Sequence, residues 1–288
     1  LAAGLSRRAV LAALPLSTAF AGLPPPGGAR AATPALSMSG AFVQGGYAVG
    51  RTTPRALVDV DAQVLTTASA DGWFVVGFDR DAPPASTLTV TTLDGSAARE
   101  ATIAAGDFDI QRIDGLPPEQ VTPTDPALLE RIAAENLRKQ AGFASLADIE
   151  GFRSGFMLPV VGARRSARFG GQRILNGEPK RPHFGVDLAT PVGTPVSAPA
   201  DGLIAFAETG LHYEGGLVLV DHGQGLITAY LHLSKILVSA GTYVRQGQLI
   251  AETGQEGRAT GPHLCWRMKW RGRNLDPSLL VGAGPFQS

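Results

Sequence analysis

The sequence predicts a mainly β protein built as an N-terminal β-sandwich-like module, a helical connector and a C-terminal antiparallel β-sheet domain. Three observations carry this expectation. The 288 residues include 36 Gly and 21 Pro, types that serve tight turns and are kept out of helix interiors. Short apolar runs recur between turn signals on both sides of residues 118–155. The helix read from apolar spacing follows Asp125, between these two β-rich stretches. At this length, with 44% hydrophobic residues, the chain can bury two ordinary cores.

The elements are expected in the following order. Residues 1–31 read as a signal peptide: Arg7 and Arg8 form a basic start, Ala9 to Gly22 is a short apolar stretch, and Ala29-Arg30-Ala31 is a small-x-small cleavage site. Ser6-Arg7-Arg8-Ala9-Val10-Leu11 also resembles a twin-arginine export signal, with an ordinary secretory signal as the alternative. Residues 36–117 read as a β-rich accessory domain with strands at Phe42-Val43, Ala56–Val60, Trp73–Phe78, Leu88–Thr92 and Ala101–Ala104. Residues 124–150 read as a helical linker. Asp125 is the expected N-cap and Pro126 the first helical residue, and Leu128, Leu129, Ile132, Ala133 and Leu137 mark one apolar face. Glu130, Arg131, Glu135, Arg138 and Lys139 are expected to face solvent. Residues 156–280 read as the C-terminal domain, with strands at Leu203–Glu208, Leu217–Asp221, Leu226–Leu231 and Leu264–Trp270.

Charge and cysteine content limit the chemistry. Lys+Arg and Asp+Glu both total 25 and the formal net charge is +0, so there is no cationic surplus for a nucleic-acid backbone and no nucleic-acid partner is expected. No stretch after the first thirty residues has the length and apolarity of a transmembrane segment. The one cysteine, Cys265, has no partner for an internal disulfide and is therefore reactive, a ligand or inert.

All five histidines lie in the C-terminal half. His183 and Asp187 occur in Arg181-Pro182-His183-Phe184-Gly185-Val186-Asp187. On an ideal strand they share a face but stand roughly 13 Å apart, too far for one metal with ligand bonds of ~2 Å. The backbone must bend between them, and Gly185 permits the bend. His263 and Cys265 lie two apart in Gly261-Pro262-His263-Leu264-Cys265-Trp266, on one strand face at roughly 6–7 Å. A division of labour suits this pair, one residue on a metal and the other toward substrate. His232 ends an apolar strand in Tyr230-Leu231-His232-Leu233-Ser234.

Taken together in this order, the three elements resemble the lysostaphin-type (LytM-like) zinc metalloendopeptidases, peptidoglycan hydrolases marked by His-x-x-x-Asp, Tyr-x-His-Leu and Gly-Pro-His-Leu-His. The connecting text agrees: Thr194-Pro195-Val196-Ser197-Ala198-Pro199-Ala200-Asp201-Gly202, Asp221-His222-Gly223, and Val244-Arg245-Gln246-Gly247-Gln248-Leu249-Ile250-Ala251. The resemblance covers residues from about 168 to 277. It implies one Zn2+ per chain held by His183, Asp187 and Cys265, catalytic His232 and His263 off the metal, and Asn176 at the substrate. It further implies peptidoglycan as partner; a regulatory protein partner is a separate expectation, and the signal-like residues 1–31 imply an exported, periplasmic or extracellular location. His212 has no counterpart, and His222 reads as a turn residue.

Cys265 departs from the family pattern, which has histidine there. A thiolate is a good zinc ligand but adds a negative charge, which is expected to weaken the Lewis acidity of zinc. On that count Cys265→His is expected to raise activity. Two function classes follow: an endopeptidase cutting peptide crosslinks, or a weakened or inactive relative that binds wall or activates a partner hydrolase. A lipoyl- or biotinyl-carrier reading of Ala198 to Gly254 lacks a lysine at an exposed hairpin tip.

Overall fold

Strict alternation along His263–Trp270 sets the two sides of the principal sheet. Leu264, Trp266, Met268 and Trp270 are buried on one face, whereas Cys265 belongs to a separate apolar cluster on the other. This is the two-residue period of a strand buried on both faces. The computed structural model describes residues 33–281; the signal peptide read at residues 1–31 lies outside them. No helix among the described residues is long and apolar enough to cross a membrane.

The principal sheet is ten-stranded. Its main path runs antiparallel from Tyr243–Val244 at one edge through Gly202–Leu211, Gly215–Asp221, Leu226–Ile236, His263–Trp270 and Val186–Ala189 to Arg164–Ala167. The four strands expected here from sequence are all present, each longer than its sequence signal. The strand Leu226–Ile236 continues past Leu231 and takes in His232.

The second face of this sheet, built from Phe206, Leu217, Leu219, Ile227, Ala229, Leu231 and Cys265, is packed by Phe143 at the end of the helix Pro126–Phe143. Asp125 caps that helix by accepting from the Ala127 amide at 3.1 Å, and Pro126 is its first residue, as expected. Gly142 lets the helix approach the sheet, since a Cβ there would lie 2.9 Å from both Leu219 and Phe206.

The helix buries a different face from the expected one. Ile132, Glu135, Lys139 and Gly142 are its buried residues, while Leu129 and Leu137 are exposed at 45% and 67%. The spacing is still helical. The charged members are buried because they have partners on the Gly202–Leu211 to Gly215–Asp221 hairpin. Glu135 accepts from the His212 amide, and Lys139 reaches Glu214.

The N-terminal module holds two antiparallel sheets. One has the order Ser37–Gly40, Tyr47–Arg51, Trp73–Gly77, and the other Gln63–Thr67, Leu57–Val60, Ala85–Thr91, Ser96–Thr102. Phe42-Val43 is not a strand but forms an isolated bridge from Val43 to Ala104. The strand Tyr47–Arg51 was not read from the sequence. Its Tyr47-Ala48-Val49-Gly50 run is buried on both faces and so shows no alternation.

The module packs directly on the C-terminal sheet. A Cβ on Gly77 would meet Leu275 and Trp270, and the Gln224 side chain bonds the carbonyl of Trp73 and the amide of Val75. The residues Ile110–Ile113 pair in parallel with Gln172–Leu175. One apolar cluster therefore runs from Tyr47 to Leu280.

Candidate metal centre

Cross-strand pairing brings the first two donors together. Asp187 lies directly opposite Cys265 in the register of Val186–Ala189 with His263–Trp270, and paired side chains on one face stand close together. His183 joins them through the bend at Gly185 expected from sequence. Gly185 is required by close approach: a Cβ there would sit 2.7 Å from Arg267, 3.0 Å from the Trp266 carbonyl and 3.1 Å from Cys265 Sγ. The His183 backbone is anchored by two hydrogen bonds, its amide to the Gly171 carbonyl at 2.8 Å and its carbonyl from the Gly170 amide at 2.7 Å.

His183 Nε2 lies 3.3 Å from Cys265 Sγ and 3.2 Å from Asp187 Oδ1. One donor atom from each of the three residues falls within 4.8 Å of the others. His183 is 1% exposed and Cys265 1% exposed. Asp187 Oδ1 is buried without a hydrogen-bond partner, an acceptor left open in the middle of the group. Nitrogen, oxygen and sulfur converging in this way fit a zinc site of three protein ligands with a free position. Charge follows the same geometry. Burial opposes ionisation of Asp187, but His183, His263 and Arg173 hold its carboxyl well below the usual range. Burial lowers the His183 pKa, yet Cys265 and Asp187 outweigh it and the net shift is upward.

His232 and His263 form a second layer. Their rings lie 4.7 Å apart between centroids, and His263 Nε2 is 3.7 Å from Asp187 Oδ1. His232 occupies an irregularity in the strand, where the register with Gly215–Asp221 shifts, and has φ 66°. Such a conformation is strained for a residue with a Cβ, and bulges of this kind re-aim side chains. Two hydrogen bonds hold it: the His232 amide to the Glu214 carbonyl at 2.8 Å, and Nδ1 to the Glu256 carbonyl at 2.7 Å. His263 Nδ1 likewise faces the Gly261 carbonyl at 2.8 Å. A carbonyl only accepts, so each Nδ1 carries the proton and each Nε2 is left as a base. Burial lowers the His232 pKa to about 4 and that of His263 in the same direction. Both rings are neutral near pH 7.

Residues 181–277 match the model of peptidase family M23. This segment is a family M23 peptidase domain of the lysostaphin type. Over 96 residues it is 46% identical to the peptidoglycan DD-endopeptidase ShyA of Vibrio cholerae, covering 33% of this chain and 22% of ShyA. Over 126 residues it is 39% identical to the DD-carboxypeptidase/endopeptidase Mpg of Neisseria meningitidis serogroup B, covering 43% of this chain and 29% of Mpg. The chain thus spans less than a third of these curated relatives. A crystal structure described as a peptidase M23 from Pseudomonas aeruginosa covers 84% of this chain and 96% of its own, with a TM-score of 0.65 and 27% identity. That share of the chain takes in the N-terminal module. Zinc is the metal of the M23 family.

Around His183, Asp187 and Cys265 of this M23 domain the structure places guanidinium groups that sequence reading missed. Arg267 Nε donates to Cys265 Sγ at 3.3 Å, and Arg173 lies 3.9 Å from Asp187. The sequence expectation for Cys265 took no account of these cations, yet a guanidinium lies beside both Cys265 and Asp187. Alternation was the available signal for Arg267: it follows His263 and Cys265 at spacing two on a strand whose intervening residues are apolar.

Asn176 lies in the turn between Gln172–Leu175 and Glu178–Pro179, at φ 49°. Its side chain is engaged on both sides by Leu116, accepting from the amide at 3.1 Å and donating to the carbonyl at 2.7 Å. His222 precedes its turn but is fully buried, bonded to the Asp201 carbonyl and Thr228 hydroxyl. His212 binds through its backbone to Glu135.

Proposed function

We propose that this chain is an exported zinc endopeptidase that hydrolyses the peptide crosslinks of peptidoglycan. The observation that carries the reading is the convergence of His183, Asp187 and Cys265 donor atoms within 4.8 Å beside two histidines whose Nδ1 atoms are tied to carbonyls. A bound zinc ion would polarise the scissile carbonyl and bring the pKa of its water to about 7. His183, Asp187 and Cys265 would hold one such ion per chain.

The protein groups do the rest. Burial lowers the His263 pKa while Asp187, 3.7 Å from its Nε2, favours the charged form. His263 takes the proton of the attacking water at Nε2 and returns it to the leaving amine. His232, more deeply buried and fixed by Glu214 and Glu256, orients the water with its free Nε2. Asn176 acts on substrate only through the turn it holds. The basic start and apolar run of residues 1–22 direct the chain out of the cytoplasm to this substrate, and the parts at 36–117, 124–150 and 156–280 act as accessory module, connector and peptidase.

The retention of both free histidines beside the ligand set speaks against an inactive relative. Chelation and readdition provide the test. Cleavage of purified crosslinked muropeptides is expected to stop on removing metal and return with zinc. Cleavage that persists unchanged in metal-free protein, or is absent from zinc-loaded protein, overturns the reading.

A further inference from the structure

Cys265 and Arg267 face the same side of one strand, two residues apart, and the Arg267 Nε–H donates to Cys265 Sγ at 3.3 Å. Arg267 is half-buried, and Gly185 packs within reach of both its Cγ and the sulfur. Arg173 stands 3.9 Å from Asp187 and adds a second positive charge near the sulfur, without a hydrogen bond to it. A metal-bound thiolate keeps lone pairs that accept such an N–H and carries the charge that a guanidinium balances. A metal-bound imidazole differs in kind. Its second ring nitrogen is an N–H that requires an acceptor, usually a carboxylate or carbonyl. Arginine offers only donors, so histidine at 265 would set donor against donor in a half-closed site.

We propose that Arg267 is the positioning residue of the sulfur ligand, and that Cys265 and Arg267 are a matched pair in which neither residue suits the other's replacement. The inference rests on the ligand set of the proposed function but not on cleavage. It reverses the sequence expectation for Cys265→His. That change alone weakens metal retention, and an acceptor at 267 is needed to recover it.

The test measures metal, not turnover. Zinc affinity is determined by chelator competition on the full chain for wild type, Arg267→Met, Arg267→Lys, Cys265→His and Cys265→His/Arg267→Glu, with circular dichroism to show that each is folded. Loss of the outer partner is expected to lower affinity of Arg267→Met by roughly 10–100-fold, with Arg267→Lys between it and wild type. Cys265→His is expected to bind more weakly than wild type, and the double variant at least about tenfold more tightly than Cys265→His. In cobalt-substituted protein the sulfur-to-cobalt charge-transfer band of Arg267→Met moves to lower energy, because the sulfur lone pairs lose a hydrogen bond. A folded Arg267→Met with wild-type affinity and an unmoved band overturns the proposal, as does a Cys265→His that binds as tightly as the double variant. Normal zinc behaviour in a wild type that cleaves nothing would instead contradict the proposed function and leave this pairing intact.

Discussion

Replacing Lys139 by Met tests whether the helix outside the matched M23 segment takes part in aligning His232. Lys139 Nζ lies 2.8 and 2.7 Å from the two carboxylate oxygens of Glu214, with side chains 9% and 16% exposed. The Glu214 carbonyl in turn accepts the His232 amide at 2.8 Å and helps hold that residue at φ 66°. Removing one partner of a buried pair costs about 3–5 kcal/mol. Glu214 retains some access to water, so about 2–3 kcal/mol is the expected loss here. In a unit of this size each kcal/mol moves the midpoint by about 2–4 °C, giving a drop of roughly 5–10 °C. No ligand is touched, so zinc content should stay at the wild-type value while crosslink cleavage falls, and Lys139→Arg should recover most of both losses. Calorimetry, metal analysis and muropeptide digestion of the three proteins provide the assay. A Lys139→Met protein with wild-type melting and cleavage, or one that loses its zinc, would refute the reasoning.

His232→Ala and His263→Ala should each keep zinc and lose about 10²–10⁴-fold in turnover, the usual worth of a general acid or base; metal analysis beside rate measurement checks this, and loss of zinc from either would exchange ligand and catalyst. Gly185→Ala drives a Cβ to 2.7 Å from Arg267 and 3.1 Å from Cys265 Sγ, so overpacking of about 1–3 kcal/mol and weaker zinc retention are expected in melting and chelator-competition experiments. Burial lowers the His222 pKa from 6.5 to about 4, so the unfolded chain takes up the proton first as pH falls. Stability is full above pH 6.5, declines from there to pH 4, and loses about 3 kcal/mol in all at ~1.36 kcal/mol per pH unit. Melting of chelated protein across pH 4–8 should show this slope in wild type and a smaller one in His222→Gln.

The convergence of His183, Asp187 and Cys265 was legible because these residues sit in short strings whose spacing survives folding. Gly185 could be assigned a bend because His183 and Asp187 are too far apart on a straight strand to meet. Alternation exposed the strand His263–Trp270, yet Arg267 escaped notice because a charged residue at an inward position has no meaning until its acceptor, Cys265 Sγ, is known to lie beside it. The helix shows the same limit. Hydropathy put Leu129 and Leu137 inside and Glu135 and Lys139 outside, but the charged residues are buried by partners about 75 residues away in the His212–Glu214 hairpin tip. Propensity does not encode such pairs. The Tyr47–Arg51 strand was hidden by burial on both faces, which removes the period that marks a strand.

Mass spectrometry of crosslinked dimers from purified sacculi, incubated with zinc-loaded wild type and with zinc-loaded His263→Ala, tests the central claim most directly. Wild type is expected to convert dimers to monomers by hydrolysis of the crosslinking peptide bond, with His263→Ala slower by about 10²–10⁴-fold at equal zinc content. Dimers left intact by wild type, or cut equally well by His263→Ala, would contradict the account.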